Sequence, residues 1–284
     1  MRTDSELHRV SIIIPTYNSG AILERCLKSI QDQSYPFWEL ILIDNFSADN
    51  SVETAKAYGA TILLRKCNPA QARNIGIIRS SGEYLLFLDS DQVLSSSLIE
   101  ECTRLCENGK LGMILIPEVF VGSGFWSTCS AVWKNCYEKV EQLHATSEGL
   151  TRGKPRFFLK DNVIRVGMYD PALIWGEDDD LHEKLKKAGV SESYCASKIY
   201  HYELTSVKGI IMKNIRYGRS MPKYAQQTRK KLFPSLFSRA LLTVREVSGS
   251  CEATPTVVVG CVLLLCLKTC AVAAGFLEGL TSRK

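Results

Sequence analysis

Two groups of carboxylates stand out by position rather than by number. In the first, the run Tyr84-Leu85-Leu86-Phe87-Leu88 leads straight into Asp89-Ser90-Asp91-Gln92. The apolar run does not alternate, which marks a strand buried on both faces. A carboxylate at the end of such a strand needs a cation, a basic partner or solvent, because an unpaired buried charge is costly. Two carboxylates one residue apart suit a hard divalent ion, Mg2+ or Mn2+, together with the phosphates it carries. Alone, a D-x-D triplet also describes an ordinary solvated turn. In the second group, Trp175-Gly176 opens onto Glu177-Asp178-Asp179-Asp180-Leu181. One or two acids there would cap a helix and offset its dipole. Four in succession repel one another, so the run points to a carboxylate kept for chemistry.

Both groups sit on a regular series of elements. Val10 to Ile14 reads as a buried strand broken by Pro15. A helix follows over 21–33, its apolar face set by Ile22, Leu23, Cys26, Leu27 and Ile30. Trp38 to Ile43 is the second strand and ends on Asp44; a helix over 52–58 stops at Gly59, and a third strand covers 60–65. A helix from Pro69 to near Gly82 precedes the opening strand. A further helix is expected over 95–108 with Gly109 as its stop, then a strand over 111–120, short strands at 157–159 and 163–167, and a helix from the acidic run to Gly189. Alternating strands and helices specify a parallel sheet covered on both faces. The strand ends at Thr16/Tyr17, Asp44 and Asp89/Asp91 then share one edge, where open α/β sheets bind ligands. Neither G-x-G-x-x-G nor G-x-x-x-x-G-K-[ST] follows any strand, which argues against dinucleotide and P-loop sites.

Composition narrows the classes further. The chain has 284 residues and a net charge of +5, with no concentrated basic stripe of the kind nucleic-acid binding requires. The eleven cysteines include no C-x-x-C pair, which suits reduced, mostly buried thiols in a cytosolic compartment. Met1 to Glu6 are charged and run into the first strand, so no secretory leader is expected there.

Five motifs in this order resemble the family 2 glycosyltransferases over roughly residues 9–220. They are Val10-Ser11-Ile12-Ile13-Ile14-Pro15-Thr16-Tyr17-Asn18, Ile43-Asp44-Asn45-Phe46-Ser47-Ala48-Asp49, Ala72-Arg73-Asn74-Ile75-Gly76, Phe87-Leu88-Asp89-Ser90-Asp91 and Trp175-Gly176-Glu177-Asp178-Asp179-Asp180-Leu181. The resemblance implies a GT-A fold, a three-layer α/β arrangement with a mostly parallel central sheet. It implies an inverting transfer of a sugar from a nucleoside-diphosphate donor. Pro15, Thr16, Tyr17 and Asp44 would line the base, Arg73 would approach the diphosphate, and Asp89 would touch the ribose or sugar. Asp91 would ligate Mg2+ or Mn2+, with His201 near the metal or diphosphate. Asp178 would be the general base, flanked on the acceptor side by Trp175, Glu177 and Asp179. Gln92 stands where an acid is common in the family, which leaves the choice of metal open.

After Tyr202 the character changes. Lys208, Lys213, Arg216, Arg219, Lys223, Arg229, Lys230 and Lys231 form a basic belt interleaved with Tyr217, Met221 and Tyr224. An amphipathic stretch over Leu232 to Leu242 and an apolar stretch over 257–277 follow. These suit an anionic membrane surface and a membrane helix. Lys268, near the middle of the apolar stretch, opposes a simple crossing and leaves a re-entrant hairpin or a helix buried in an oligomer open. The expected organisation is a catalytic domain over 9–205, an interfacial helical region over 206–250 and a membrane-associated segment over 251–284, with the catalytic domain on the cytoplasmic side of the cell membrane. A lipid-linked acceptor, such as a polyprenyl or dolichyl phosphate or a glycan built on one, fits that placement. The competing readings are a sugar-phosphate nucleotidyltransferase, which would want a Gly-rich basic loop where Pro15-Thr16-Tyr17-Asn18-Ser19-Gly20 stands, and an idle nucleotide-binding scaffold, which would not need Asp178.

Overall fold

The computed structural model describes residues 8–148, 155–174, 176–203, 206–228, 232–250 and 253–281. In chain order the elements are β1 (Val10–Thr16), α1 (Gly20–Gln31), β2 (Trp38–Asp44), α2 (Ser51–Ala57), β3 (Thr61–Leu64), α3 (Pro69–Arg79), β4 (Tyr84–Phe87), β5 (Gln92–Leu94), α4 (Leu98–Gly109), β6 (Met113–Leu115) and β7 (Glu118–Val121). They continue with α5 (Phe125–Glu148), β8 (Pro155–Leu159), α6 (Lys160–Arg165), α7 (Glu177–Lys187), β9 (Glu192–Tyr194), β10 (Ile199–Tyr202), α8 (Val207–Thr228), α9 (Leu232–Gly249) and α10 (Pro255–Thr281).

The chain divides into two compact units. One comprises Met1–Glu118, Gly153–Ala172 and Glu177–Tyr200; the other comprises Val119–Arg152, Leu173–Gly176 and His201–Lys284. The first is built on a seven-stranded sheet of order β3-β2-β1-β4-β8-β6-β9. Strands β1 to β4 are mutually parallel, and β8 is antiparallel to both of its neighbours. A shorter sheet has the order β5-β10-β7. The non-alternating strands are buried on both faces as their composition demands. Ile12, Ile14, Leu40, Leu42 and Leu86 join one core with Leu23 and Leu27 of α1 and Ile99 of α4. Ile13, Ile41, Ile43, Leu85 and Phe87 join the other with Ile77 of α3 and Leu181 and Leu185 of α7.

Four details depart from the sequence pattern. Pro15 does not end β1: pairing with β4 stops at Ile13, whereas pairing with β2 runs on to Thr16 opposite Asp44. A proline lacks only one N–H and is tolerated at such a one-sided strand end. The strand expected over 111–120 is two strands, β6 and β7, in different sheets and separated by Pro117. The strand expected over 163–167 is helix α6 and its exit turn. Val163 is buried there while Ile164 is 48% exposed, a one-sided pattern, and Gly167 and Met168 reverse the chain at positive φ. Helix α4 runs through Gly109 and ends on Lys110, which takes the left-handed conformation instead.

The second unit is mainly helical, with most of β7 and the end of β10. Cys129, Val132 and Cys136 of α5 pack with Ile210 of α8, Val247 of α9 and Cys261 and Leu264 of α10. Helix α10 is long and apolar enough to cross a membrane by length and composition. Lys268 on it is turned inward: its ammonium donates to Ser130 Oγ at 3.0 Å, and Ser130 donates to Glu203 Oε2 at 2.7 Å. Lys134 pairs with the other oxygen of Glu203. Burial alone would raise the Glu203 pKa, but the Lys134 ammonium and the Ser130 hydroxyl more than offset it and hold it below the usual carboxylate value.

The close seating of α3 on the sheet yields a test. A Cβ at Gly76 would lie 2.4 Å from Ile13 Cγ2 and 3.1 Å from Ile43 Cδ1. Gly76→Val therefore pushes α3 off β1 and β2 and is expected to lower stability by about 1–3 kcal/mol, the usual range for overpacking. Urea unfolding followed by circular dichroism measures it.

Candidate active site

Two loops frame the carboxyl edge of the first sheet. Thr16 and Asp44 are register partners at the ends of β1 and β2, and the loops that follow them are laced together. Asn18 N–H donates to Ser47 Oγ at 2.8 Å, Ala48 N–H to Asn18 Oδ1 at 2.9 Å, Ser19 N–H to Ser51 Oγ at 2.8 Å and Gly20 N–H to Asp49 Oδ2 at 2.9 Å. Asp44 is fully buried, and its carboxylate accepts the Ser47 N–H at 2.8 Å and the Ser47 hydroxyl at 2.5 Å. That turn holds Phe46 at a φ of 58°, a strained conformation for a bulky residue. Its ring and that of Tyr17 stand each 60% exposed.

Deeper at the same edge lies a cluster of ion pairs. Helix α3 starts from a reciprocal capping box between Asn68 and Gln71, with Pro69 in its first turn. This fixes the direction of Arg73, whose side chain is 3% exposed. Its guanidinium reaches Asp89 Oδ1 at 3.0 Å, Glu177 Oε1 at 3.1 Å and Asp178 Oδ1 at 3.7 Å, and it lies 5.3 Å from the centre of the Tyr169 ring. Burial alone would lower the Arg73 pKa; Asp178, Tyr169, Asp89 and Glu177 together raise it instead, so the cation is fixed. A second buried guanidinium, Arg156 of β8, meets Asp89 Oδ2 at 3.3 Å and Glu118 Oε1 at 2.8 Å. Asp89 is thus held from both sides. The same α3 turn anchors the segment leading to the acidic run: Asn74 exchanges two hydrogen bonds with the Tyr169 backbone, and Asn68 donates to the Pro171 carbonyl at 2.8 Å.

The four acids of α7 have separate fates. Glu177 and Asp178 face Arg73, Asp179 is exposed, and Asp180 pairs with Lys184 at 2.7 Å. All lie in the first turn, where the helix dipole favours negative charge. Mutual repulsion is relieved by this division rather than endured.

Of the residues singled out by sequence, Arg73, Asp89, Glu177 and Asp178 converge directly. Pro15 lies within β1 and Thr16 ends it, Tyr17 follows, and Asp44 ends β2. Asp91 is half-buried just before β5. Its charge, with that of Asp89, adds to burial in pushing the Cys26 thiol pKa up. His201 belongs to the second unit, where its ring lies 5.2 Å from that of Phe120. Trp175 lies outside the described residues. Sequence reasoning missed Arg156, Glu118 and Tyr169. The available signal was one cation, Arg156, in the run Pro155-Arg156-Phe157-Phe158-Leu159, which demands a buried carboxylate partner. Gln92 braces the D-x-D turn, its Oε1 accepting the Asp89 N–H at 2.9 Å and its Nε2 reaching Glu118 at 3.3 Å.

The fold recurs in solved glycosyltransferases. A mannosyltransferase from Pyrobaculum calidifontis, solved with GDP-Man and Mn2+, superposes with a TM-score of 0.62 at 16% identity, covering 98% of this chain and 88% of that one. TarS residues 1–349 from S. aureus, solved with UDP-GlcNAc, gives 0.57 at 14% identity, covering 97% and 91%. These likenesses show the GT-A fold. Residues 11–163 match the model of glycosyl transferase family 2. The glycosyltransferase AglE of Haloferax volcanii is 38% identical over 227 residues, 76% of this chain and 73% of that protein. The chain therefore belongs to glycosyl transferase family 2. Other relatives match over a shorter stretch: GlyG of Streptococcus pneumoniae is 37% identical over 98 residues, and the match spans 33% of its length.

The buried cluster predicts the behaviour of one variant. Arg73→Met leaves Asp89, Glu177 and Asp178 facing one another around an apolar side chain. Removing one partner from a buried ionic network typically costs about 3–5 kcal/mol. The urea midpoint is expected to fall by a corresponding amount near neutral pH. The deficit shrinks on acidification, because Glu177 and Asp178, without the Arg73 charge, take up protons that the wild type does not bind.

Proposed function

We propose that this protein transfers a sugar from a nucleoside-diphosphate donor to an acceptor hydroxyl or phosphate, inverting the anomeric centre. The observation that carries this reading is the Arg73 cluster, which joins the D-x-D strand end to the acidic turn of α7. Both groups lie in the first unit, at the carboxyl edge of parallel strands. Family membership and neighbours solved with GDP-Man and UDP-GlcNAc support it.

The residues divide the work as follows. Pro15, Thr16, Tyr17 and Asp44 receive the nucleoside. Asp89 and Arg73 present a fixed polar edge to the diphosphate and sugar. Asp178 takes the proton of the acceptor hydroxyl as its oxygen forms the new bond to the anomeric carbon. The bond from that carbon to the leaving phosphate oxygen breaks on the opposite side, and its electron pair departs with the diphosphate. Glu177 and Asp179 flank the acceptor side.

A divalent ion fits the donor set. Among the described residues no group of three or more His, Cys, Asp or Glu side chains forms a cage. Mg2+ or Mn2+ held through one or two carboxylates and the phosphates of its substrate does not require one. Asp91 is the carboxylate assigned to it. When bound, the ion supplies charge neutralisation for the departing diphosphate.

The catalytic part is assigned to 9–205, the interfacial helices to 206–250 and the membrane-associated segment to 251–284. The apolar α10 and the basic residues that precede it support attachment to the cytoplasmic face of a membrane. A lipid-linked acceptor, a polyprenyl or dolichyl phosphate or a glycan carried on one, would be met there.

The test is a panel of UDP-, GDP- and dTDP-sugars with Mg2+ or Mn2+, read by thermal shift and then by transfer in detergent to lipid phosphates. One donor is expected to stabilise the wild type only with metal, and Asp91→Ala is expected to lose that shift. Asp178→Asn is expected to keep donor binding while kcat falls by about 10²–10⁴, the usual contribution of a positioned base. Donor stabilisation unaffected by Asp91→Ala, or undiminished transfer by Asp178→Asn, overturns the assignment.

A further inference from the structure

We infer that α10 does not cross the bilayer but lies along its surface, with α8 beside it as a basic flank. The inference rests on the membrane attachment proposed above. Helix α10 presents two unlike faces. Gly260, Cys261, Leu264, Ala271, Gly275 and Gly279 are buried. Val259, Val262, Leu263, Leu267, Leu277 and Leu280 are exposed along its whole length. At 1.5 Å per residue, the exposed apolar positions from Val259 to Leu277 form a ridge about 27 Å long. An exposed apolar surface of that extent marks an interaction site rather than ordinary surface. An apolar hollow of about 410 Å³, lined by Phe125, Pro255, Val259 and Leu263, opens at the start of the ridge.

The buried face decides how that ridge meets lipid. A Cβ at Gly275 would lie 2.1 Å from the Ile215 carbonyl oxygen, and one at Gly279 would lie 2.5 Å from that of Arg219. Helix α8 therefore runs alongside α10 in the same direction with backbones in close contact. A crossing would carry α8 into the hydrocarbon with it. Lys208, Lys213 and Arg216 of α8 would follow, each a charge that is costly in hydrocarbon. Halfway along α10, Lys268 is tied through Ser130 to Glu203. The Glu203 N–H is bonded to the Val121 carbonyl of β7. The midpoint of the helix is thus fastened to sheet and charged side chains, where a crossing would require lipid.

Lying flat removes the conflict. Lys208 and Arg216 are exposed on α8 and fall on one stripe with Met212, at spacings of four, while Arg219 further along it pairs with Glu278 of α10. Such a stripe suits anionic headgroups, while the α10 ridge enters the acyl boundary. The basic flank beside the apolar ridge selects an anionic bilayer as the occupant, in preference to a second copy of this basic chain.

Two readouts on the full chain test this. The first is flotation of the purified protein with phosphatidylcholine vesicles, with and without phosphatidylglycerol. Binding is expected with the anionic vesicles, weakened by high salt and by the pair Lys208→Glu and Arg216→Glu. It is expected to fall to background in Leu263→Glu with Leu267→Glu, two exposed positions whose change leaves the melting curve in place. The second is protease protection of epitopes at the two ends of the chain, in sealed membranes from expressing cells. Both epitopes are expected to be cut from the same side. Protection of one end while the other is cut shows a crossing and overturns the inference while leaving membrane attachment intact. Failure to float with either vesicle, with self-association seen by light scattering, overturns attachment as well and assigns the ridge to a second copy. Donor stabilisation in the thermal-shift panel is independent of all three outcomes.

Discussion

One buried cation governs the first unit. Arg73 enters the interior at the carboxyl edge of the sheet, where an unpaired guanidinium would be costly. Its partners come from distant parts of the chain: Asp89 from the end of β4, Glu177 and Asp178 from the first turn of α7. Arg73 is the cation within reach of all three, while Arg156 adds attraction to Asp89 and Asp178. The ion pairs are therefore better regarded as a positioning device than as a source of net stability, since the desolvation of buried charges consumes most of their attraction. Arg156 extends the device by holding the second oxygen of Asp89, and Gln92 secures the backbone that carries it. The outcome is a set of acidic side chains whose places are fixed before any substrate arrives, as electrostatic preorganisation requires.

The sheet was legible because its strands are extreme. Runs such as Ile12-Ile13-Ile14 and Leu85-Leu86-Phe87-Leu88 fit only a strand with both faces covered, and both faces are covered. The strand ends carried their polar residues in plain view, so Thr16, Asp44 and Asp89 were found with the elements. Failures came where one residue governed a local choice. Pro117 cut an apolar run into strands of two sheets, and the run gave no hint that its halves pair with different partners. Residues 163–167 look apolar enough for a strand, yet the chain buries Val163 and exposes Ile164, and a left-handed pair ends the turn. Patterns over five residues do not separate these cases.

The candidate site was legible by residue type and illegible by pairing. Four consecutive acids announced repulsion, and the sequence offered no way to see that Arg73, more than a hundred positions earlier, takes two of them while Lys184 takes a third. Arg156 was missed for the same reason: a cation in an apolar strand says that a partner exists without saying which. Gln92 stands where an acid is common in the family. In place it does what an acid would not do. Its amide accepts the Asp89 N–H and donates to Glu118, whereas an ionised carboxylate there would have faced Glu118 as a like charge.

Lys268 gives the same lesson from the opposite direction. On sequence alone it was an objection to a membrane helix, because a charge in the middle of an apolar stretch is expensive in lipid. In the structure the charge is satisfied within the protein, by Ser130 and through it by Glu203, so the residue no longer opposes contact between α10 and lipid. It constrains the direction of contact. A lysine that must face protein fixes the rotation of the helix about its own axis, and the glycines that follow at 275 and 279 keep the same face against α8. What remains outward is mostly apolar as far as Leu277, after which Glu278 pairs with Arg219 of α8. Apart from Lys268 and Glu278 the helix taken alone is apolar, and the pair taken together is amphipathic, with most of the charges supplied by α8. A composition window over α10 registers the first property and is blind to the second, because the polar half of the device lies about sixty positions earlier in the chain.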